Sequence, residues 1–243
     1  MKEKSAVLIL EGPWNIYDGD INRSSVEPFF EGMAKQFDNV EILHSRFYDV
    51  HSFRLAFAAL IEHNYQNAIV YVAGHGDGHR VGGAKIIDIL VECSVDSVRA
   101  NITGVLLGSC FSAGTAKNSQ ADVINAMIQE SNIAWVAAYD CRAYWQASTM
   151  VDMSIISTML HAEEEDFQTR ESINHLLAQG IECFSPTFVL GDNGDEEEPV
   201  SMAEGISFFT QPRGQGHRAK CVTLDVWDEW VELQVNYEEE LED

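Results

Sequence analysis

The stretch "AIVYVAGHGDG" (68–78) decides the fold, together with a second stretch of the same design, "GVLLGSCFSAG" (104–114). Each is a continuous apolar run that breaks into glycines and other small residues. A continuous run, unlike an alternating one, is typical of a strand that is buried on both faces of a parallel sheet. We therefore predict an α/β protein in which both runs are strands of a parallel sheet.

Apolar runs of this kind alternate with segments of helical spacing along the chain. This alternation predicts a mainly parallel sheet of about six strands flanked by helices, with right-handed crossovers. The remaining strands are predicted at 6–10, 40–43, 133–139 and 186–191, and the helices at 25–37, 52–63, 121–130, 146–160 and 172–179.

Two segments depart from the alternation. Residues 79–93 begin with Gly-Gly and an apolar run, which indicates a small β-excursion rather than a helix. In 221–235, the order of Val222, Leu224 and Val226 indicates one or two extra C-terminal strands. We predict a core domain at 1–192 and an acidic extension at 193–243 that packs on the same domain.

The charge of the chain limits its partners. The 243 residues include 39 acids and 15 lysines and arginines, a formal net charge of −24. Residues 195–243 alone contain 14 acids and 3 bases. So negative a surface repels nucleic-acid phosphate and anionic lipid, so we expect neither as a partner. Basic peptides or protein surfaces suit it better.

The cysteines and the first residues bear on localisation. Five cysteines are widely scattered, which is typical of reduced thiols. The apolar stretch in "MKEKSAVLIL" fits a strand better than a signal peptide, and no run reaches the ~18 apolar residues of a membrane span. We therefore expect a cytoplasmic protein.

The two deciding stretches also carry the candidate site. Parallel strands bring their carboxyl ends to one edge of the sheet, where ligands bind. His75 follows one strand and Cys110 the other, so neighbouring strands would place a nucleophile beside a histidine partner. Gly76 permits close approach of a substrate, and the N–H groups of Gly76 and Cys110 would serve as an oxyanion hole.

These two stretches resemble those of the caspase-like (clan CD) cysteine peptidases, which include caspases, metacaspases, legumain, gingipains, separase and bacterial CHAT peptidases. "IVYVAGHGDG" is similar to their His-Gly box and "GVLLGSC" to their strand-Cys box. "SCFSA" replaces the caspase pentapeptide, and the interval from His75 to Cys110 is shorter than the ~50 residues of caspases. The likeness is therefore closest to prokaryotic caspase-like and CHAT-type peptidases, and it implies a caspase-haemoglobinase-like fold.

The resemblance implies roles for individual residues. His75 would protonate the leaving amine and Cys110 would be the nucleophile. Tyr139-Asp140 resembles the aromatic-acid pair that leads to the acid reading a basic P1 side chain, and Ser109 and Asp77 would line the substrate site. Arg142 leaves an alternative open, because it could neutralise Asp140 or itself bind an acidic P1. We prefer a basic P1, which suits the acidic protein.

The sequence thus predicts a cysteine endopeptidase that cleaves a protein partner after a basic residue, without a cofactor or a metal. By analogy of fold, it would be a regulated bacterial effector with an activating protein partner. Two alternatives remain. His75, Asp77 and His79 alternate in "HGDGH" and are ligand types of a metal-dependent hydrolase. The same fold would also suit an inactive binding or scaffold module in which Cys110 is a core thiol.

Overall fold

The computed structural model describes residues 4–14, 24–113, 124, 126, 128–129, 131–195, 197–214 and 217–242, with side chains as far as 235. The strands are β1 (Ser5–Glu11), β2 (Val40–Arg46), β3 (Asn67–Ala73), β4 (Arg80–Val81), β5 (Ala84–Lys85), β6 (Ile102–Gly108), β7 (Trp135–Tyr139), β8 (Arg142–Ala143), β9 (Val189–Asp192), β10 (Pro199–Ser201), β11 (Ile206–Thr210) and β12 (Lys220–Cys221). The helices are α1 (Glu27–Ala34), α2 (Val50–Leu60), α3 (Ile86–Ala100), α4 (Trp145–Met159), a 3-10 turn (Glu164–Phe167), α5 (Arg170–Gly180), α6 (Met202–Gly205) and α7 (Thr223–Glu242).

The centre of the fold is a seven-stranded sheet with the order β12-β11-β7-β6-β3-β1-β2. From β2 to β7 all neighbouring strands are parallel. At the other edge β11 pairs with β7 and β12 pairs with β11, both antiparallel. The predicted fold class is confirmed: this is an α/β protein with a mainly parallel sheet, flanking helices and extra strands from the C-terminal part of the chain.

The continuous apolar runs are strands covered on both faces. Every residue of β1, β3 and β6 is buried. On one face the sheet packs against α2 and α3, with Phe53 and Ile89 among the buried residues. On the other face it packs against α1, α4, α5 and α7, through residues such as Phe30 and Ile155. Because both faces are covered by helices, the strands have no polar side to alternate with.

Local signals fix the ends of several helices. The Asp49 side chain accepts a hydrogen bond from the Ser52 backbone N–H at 2.8 Å, and the Ser52 hydroxyl accepts one from the Asp49 N–H at 3.0 Å. This reciprocal cap satisfies N–H groups that α2 leaves free in its first turn. At the C-terminal end of α3, Asn101 adopts a left-handed backbone conformation with φ 51°, and the chain turns there into β6.

Two predicted segments in the first 192 residues differ from the structure. Residues 80–85 do form a small β-hairpin, but the apolar run from Ile86 onward is the helix α3. The strand predicted at 186–191 is β9, which belongs to a separate sheet with the order β10-β9-β8 rather than to the central one. Most of the helix predicted at 121–130 lies outside the described residues.

The largest correction concerns 221–235, where the predicted strands are wrong and a helix begins at Thr223. Val222 and Val226 are buried, whereas Leu224 between them is 78% exposed. Burial at every fourth position is helical, so the pair of valines, four apart, was the informative spacing. The alternation that included Leu224 was a coincidence of composition.

The acidic C-terminal part shares the core of the rest of the chain. Its strand β11 pairs with β7 along its whole length, from Ile206 opposite Tyr139 to Thr210 opposite Trp135. Val226 of α7 is fully buried in the same cluster as residues of α4 and α5. Within the described ranges, no helix has the combination of length and apolar character needed to cross a membrane.

A buried carboxyl lies under the strand that leads to Cys110. Asp152 of α4 is fully buried, and the hydroxyls of Tyr71 and Tyr139 both donate hydrogen bonds to it, at 2.7 Å and 2.5 Å. Burial opposes ionisation more strongly than the two hydroxyls favour it, and the pKa of Asp152 rises to about 7. The carboxyl therefore exchanges its proton close to neutral pH.

We expect this proton to make stability depend on pH. The pKa of Asp152 is higher in the folded protein than the ~3.9 of an unfolded chain, so the stabilisation is complete below pH ~4 and lost as pH rises through about 7. The side chain of Asp152→Asn cannot ionise. Between pH 5 and 8 the free energy of unfolding of the wild type should therefore fall by about 2 kcal/mol more than that of the variant. Urea unfolding across this range measures it, and parallel pH profiles for the two proteins would contradict the assignment.

Candidate active site

The predicted meeting of His75 and Cys110 depends on the neighbours of β3. In the sheet β3 and β6 are adjacent and parallel, and their last residues, Ala73 and Gly108, are partners in the register. The segments that carry His75 and Cys110 therefore leave the sheet side by side at its carboxyl edge. This is the edge where ligands bind in parallel α/β sheets.

Gly76 is in contact with the end of the neighbouring strand. A Cβ atom at Gly76 would lie 2.2 Å from the Ser109 Oγ, 2.3 Å from the Cys110 carbonyl oxygen and 3.1 Å from the Cys110 nitrogen. No side chain fits at such distances, so only glycine allows the two segments to approach this closely. The sequence pair His75-Gly76 and Ser109-Cys110 is thus one packed unit.

The His75 side chain is exposed, and a backbone group orients it. Its Nε2 is hydrogen-bonded to the carbonyl oxygen of Trp14, and the two rings meet edge to face with centroids 5.5 Å apart. A carbonyl can only accept, so Nε2 carries the hydrogen and donates. In the neutral imidazole this leaves Nδ1 as the basic nitrogen.

The thiol of Cys110 is partly shielded. The residue is half-buried, and its Sγ donates to the Ala143 carbonyl oxygen at 3.8 Å. Burial raises the pKa of this thiol, although the backbone of Ala143 and the charge of Arg142 act in the opposite direction. The thiol therefore holds its proton at neutral pH, and attack on a substrate requires a base to take it.

The other cysteines lie in different surroundings. Cys93 and Cys141 are buried, and burial raises the pKa of both thiols, that of Cys141 to about 12. Cys183 and Cys221 are exposed. None of these four follows a parallel strand of the sheet beside a histidine, so Cys110 is the candidate nucleophile.

Backbone amides at the same edge are available to an oxyanion. The N–H groups of Phe111, Ser112 and Ala113 donate to backbone carbonyls, whereas no backbone carbonyl of the described residues accepts from the Cys110 N–H. Gly76 faces Val81 in an antiparallel bridge whose two hydrogen bonds join the residues on either side. In such a pair the Gly76 N–H points away from the partner strand. Neither of the two predicted donors is bonded to a backbone carbonyl of the described residues.

The turn after Cys110 has an unusual backbone. Phe111 has φ 54°, in the left-handed region that a non-glycine residue seldom adopts. Its backbone N–H is held by the Cys141 carbonyl at 3.0 Å. Gly78, with φ 87°, lies against the Phe111 carbonyl and Cβ. Strained conformations of this kind are concentrated at functional sites, where surrounding contacts enforce them.

Asp77 and His79 belong to the turn that follows His75. The Asp77 Oδ1 accepts hydrogen bonds from the backbone N–H groups of His79 at 2.9 Å and Arg80 at 2.8 Å. This geometry is that of an Asx turn, so the side chain of Asp77 shapes the loop rather than lining a groove. Among the described residues no group of three His, Cys, Asp or Glu side chains could hold a metal ion, and the geometry gives the His75/Asp77/His79 alternative no support.

Two residues predicted to bind substrate are not accessible to it. Tyr139 is fully buried, and its hydroxyl reaches Asp152 on the opposite side of the sheet from α3. Ser109 is 3% exposed, and its Oγ is buried against Gly76 without a hydrogen-bond partner in the described part of the chain. Both side chains lie within the packed layers of the protein.

Asp140 is half-buried and directly follows β7. It lines a cavity of about 350 Å³, and the Ser207 hydroxyl donates a hydrogen bond to its Oδ2. Two further acids and Cys221 line the same cavity, and Ala113 lines it from the turn that follows Cys110. Its walls include Ala113, Glu204, Ile206, Phe209, Val222 and Asp225.

Arg142 has a partner that the sequence did not reveal. Its Nε lies 2.7 Å from the Oδ1 of Asp192, the buried residue opposite it in the β8–β9 pair, and its second terminal nitrogen is 3.7 Å from a Glu197 oxygen. The hydrogen bond from Arg142 holds the pKa of Asp192 below its usual range. Of the two alternatives for Arg142, neutralisation of Asp140 is therefore not what the side chain does.

Glu11 is a further residue that sequence reasoning missed. It is 1% exposed at the end of β1, and its carboxylate accepts hydrogen bonds from Trp14 Nε1 at 2.7 Å, Ser25 Oγ at 2.8 Å and the Val26 N–H at 2.9 Å. The Nε2 of His44 lies 2.9 Å from Oε2 of Glu11, the oxygen that also accepts from Ser25. The signal in the sequence was an acid directly at the end of a buried run, "AVLILE".

Comparison with known proteins does not assign a family. A scan against protein-family models found none that matches, and no curated protein matches the chain. The resemblance to caspase-like peptidases rests on the His-Gly box at 69–78 and the strand-Cys box at 104–110.

Proposed function

We propose that this protein is a cysteine endopeptidase of the caspase-like type, with Cys110 as nucleophile and His75 as its proton-transfer partner. The observation that carries the proposal is the contact of Gly76 with the backbone of Cys110, which brings both residues to one sheet edge. The Cys110 N–H, which donates to no backbone carbonyl of the described residues, and the donor role of the His75 Nε2 add to it. Buried thiols elsewhere in the chain lack these neighbours.

The proposed reaction follows from these groups. The Cys110 sulfur attacks the peptide carbonyl carbon, and its proton passes to the free Nδ1 of His75. The oxyanion of the tetrahedral intermediate is held by the N–H groups of Gly76 and Cys110. The C–N bond then breaks as His75 returns the proton to the leaving amine. Water hydrolyses the resulting thioester, which releases the acid product and restores the thiol.

A basic residue before the scissile bond is supported by the cavity that Ala113, three residues after Cys110, helps to line. Asp140, Glu204 and Asp225 all line it, and carboxylates in a partly enclosed site favour a cation through charge-assisted hydrogen bonds. The acidic composition of the chain adds attraction for basic protein substrates. Arg142, whose guanidinium is bound by Asp192, leaves this acidic cavity intact.

The cellular setting is part of the same proposal. We infer a cytoplasmic effector that acts on a protein substrate, with an activating protein partner that controls it. The scattered thiols support a reducing compartment. The negative charge of the chain disfavours nucleic acid and anionic membranes as partners.

The test is selective labelling by peptide acyloxymethyl ketones, with the adduct located by mass spectrometry. An exposed thiol of ordinary reactivity would be modified first by an undirected electrophile, which makes Cys183 the internal reference. Cys221 is also exposed, but it lines the same cavity as Asp140 and is therefore not a reference. We expect an Arg- or Lys-containing probe to modify Cys110 at least tenfold faster than Cys183, because the site binds the probe and stabilises its oxyanion. An Asp-containing probe should react more slowly.

Each result decides one part of the proposal. Labelling of Cys110 no faster than that of Cys183 would contradict the peptidase and leave the binding or scaffold module as the better account. Faster labelling of Cys110 by the Asp probe would keep the peptidase and assign the P1 preference to Arg142 instead.

A further inference from the structure

The residues around Trp14 link a buried carboxylate to the candidate active site. Trp14 is half-buried, and it is bonded at two points: its indole N–H donates to Glu11, and its carbonyl accepts from His75. The backbone just before it is also fixed, because the Gly12 N–H donates to the Ala73 carbonyl at 2.8 Å. Trp14 therefore spans the distance between the end of β1 and the His75 segment after β3.

We propose that Glu11 is a positioning residue for His75, acting through Trp14. The inference rests on the proposed function in so far as His75 is catalytic. Glu11 holds the indole of Trp14 in one orientation, which fixes the direction of the Trp14 carbonyl. That carbonyl in turn keeps the hydrogen of the His75 imidazole on Nε2 and the basic nitrogen on the other side.

The carboxylate is built into the fold firmly enough for this role. Glu11 accepts from groups on three separate segments: Trp14, the Ser25-Val26 turn before α1, and His44 of β2. Burial opposes its ionisation, but the hydrogen bonds, that of His44 foremost, outweigh burial and hold the pKa of Glu11 below its usual range. The Nδ1 of His44 lies 3.1 Å from Glu27, so the histidine is itself held in place.

The link matters because an imidazole without a fixed acceptor has two neutral tautomers. In the proposed reaction only the form with a free Nδ1 can take the proton of Cys110. An exposed ring such as that of His75 also has other rotamers open to it, and the edge-to-face contact with the Trp14 ring restricts them. Loss of the Glu11 bond would release both restraints together.

The experiment compares Trp14→Phe with Ser25→Ala. Trp14→Phe keeps an aromatic ring and the backbone carbonyl, and it removes the N–H that reaches Glu11. Ser25→Ala removes a different hydrogen bond of similar length from the same carboxylate. The readout is ¹⁵N NMR of the histidine side chains, in which the His75 signals are assigned by their loss in His75→Gln.

We expect His75 to show the Nε2–H tautomer in the wild type and in Ser25→Ala, and a mixture of tautomers in Trp14→Phe. Cleavage by Trp14→Phe should fall about tenfold in kcat, with KM within about twofold, since proton transfer rather than binding is affected. Wild-type His75 signals in Trp14→Phe would overturn the inference. Equal changes in both variants would also overturn it, because they would reflect general loosening around Glu11.

The NMR readout separates this inference from the proposed function. A shifted tautomer in Trp14→Phe, in a protein that neither cleaves peptides nor labels at Cys110, would keep the link from Glu11 to His75 and remove the peptidase. Labelling at Cys110 together with unchanged His75 signals would do the reverse.

Discussion

Cys110→Ala is expected to lower the cleavage of an Arg-containing peptide by a thousandfold or more. Removal of a covalent nucleophile costs an enzyme of this type most of its rate, and the oxyanion donors alone supply little turnover. The side chain is half-buried and makes one long hydrogen bond, so the free energy of unfolding should change by about 1 kcal/mol or less. The measurements are steady-state cleavage of a fluorogenic peptide and urea unfolding.

The matched control is Cys183→Ala, which removes an exposed thiol outside the proposed site. It should cleave at the wild-type rate, which excludes a general effect of thiol loss. Cleavage that survives in Cys110→Ala would remove Cys110 as nucleophile. If that surviving activity were also abolished by a chelator, the metal-dependent alternative would replace the peptidase mechanism.

The sheet was predictable because burial on both faces leaves a strong signal. Runs such as 68–72 and 104–108 have no polar alternation, and few structures other than parallel strands accommodate them. Their adjacency was less predictable, because the crossover that joins them contains α3, and the pattern at 79–93 had indicated a β-excursion rather than a helix. The C-terminal helix was not predictable, because Val222 and Val226 fit both a helical and a strand period, and Leu224 between them completes an apparent strand alternation.

The candidate site was only partly visible in the sequence. His75, Gly76 and Cys110 could be identified from the sequence, because small residues after a buried strand indicate that two segments approach closely. The direction of Tyr139 could have been inferred from strand parity: Trp135 and Ala137, its partners at a period of two, also lie in the core that contains α4. Asp140, one residue later, leaves the strand.

Other parts of the site leave no trace in the sequence. The group that orients His75 is the backbone carbonyl of Trp14. Every residue has such a carbonyl, so the residue type at position 14 does not indicate this contact. The pairing of Arg142 with Asp192 joins two strands of a small separate sheet, and nothing in the intervening sequence specifies that they pair. Contacts of this type come from topology, which local pattern does not encode.

Gly76→Ala is expected to reduce cleavage about a hundredfold and to destabilise the protein by about 2 kcal/mol. The new Cβ would lie 2.3 Å from the Cys110 carbonyl oxygen, a backbone atom that can give way only if the strand end moves. Overpacking of this kind costs typically 1–3 kcal/mol, and a displacement of about 1 Å in a reactive group costs about a hundredfold in rate. Peptide cleavage and urea unfolding measure the two effects.

Two companion variants make the prediction specific. Gly32→Ala, where a Cβ meets nothing within 4 Å, lies within α1 and should stabilise the protein by about 0.5–1 kcal/mol without a change in cleavage. Ser109→Ala combined with Gly76→Ala removes the 2.2 Å contact with the Ser109 Oγ but leaves the one with the Cys110 carbonyl, so it should not restore activity. Full cleavage by Gly76→Ala would mean that catalysis does not depend on the close approach of the two segments, and the observation on which the peptidase proposal rests would lose its force.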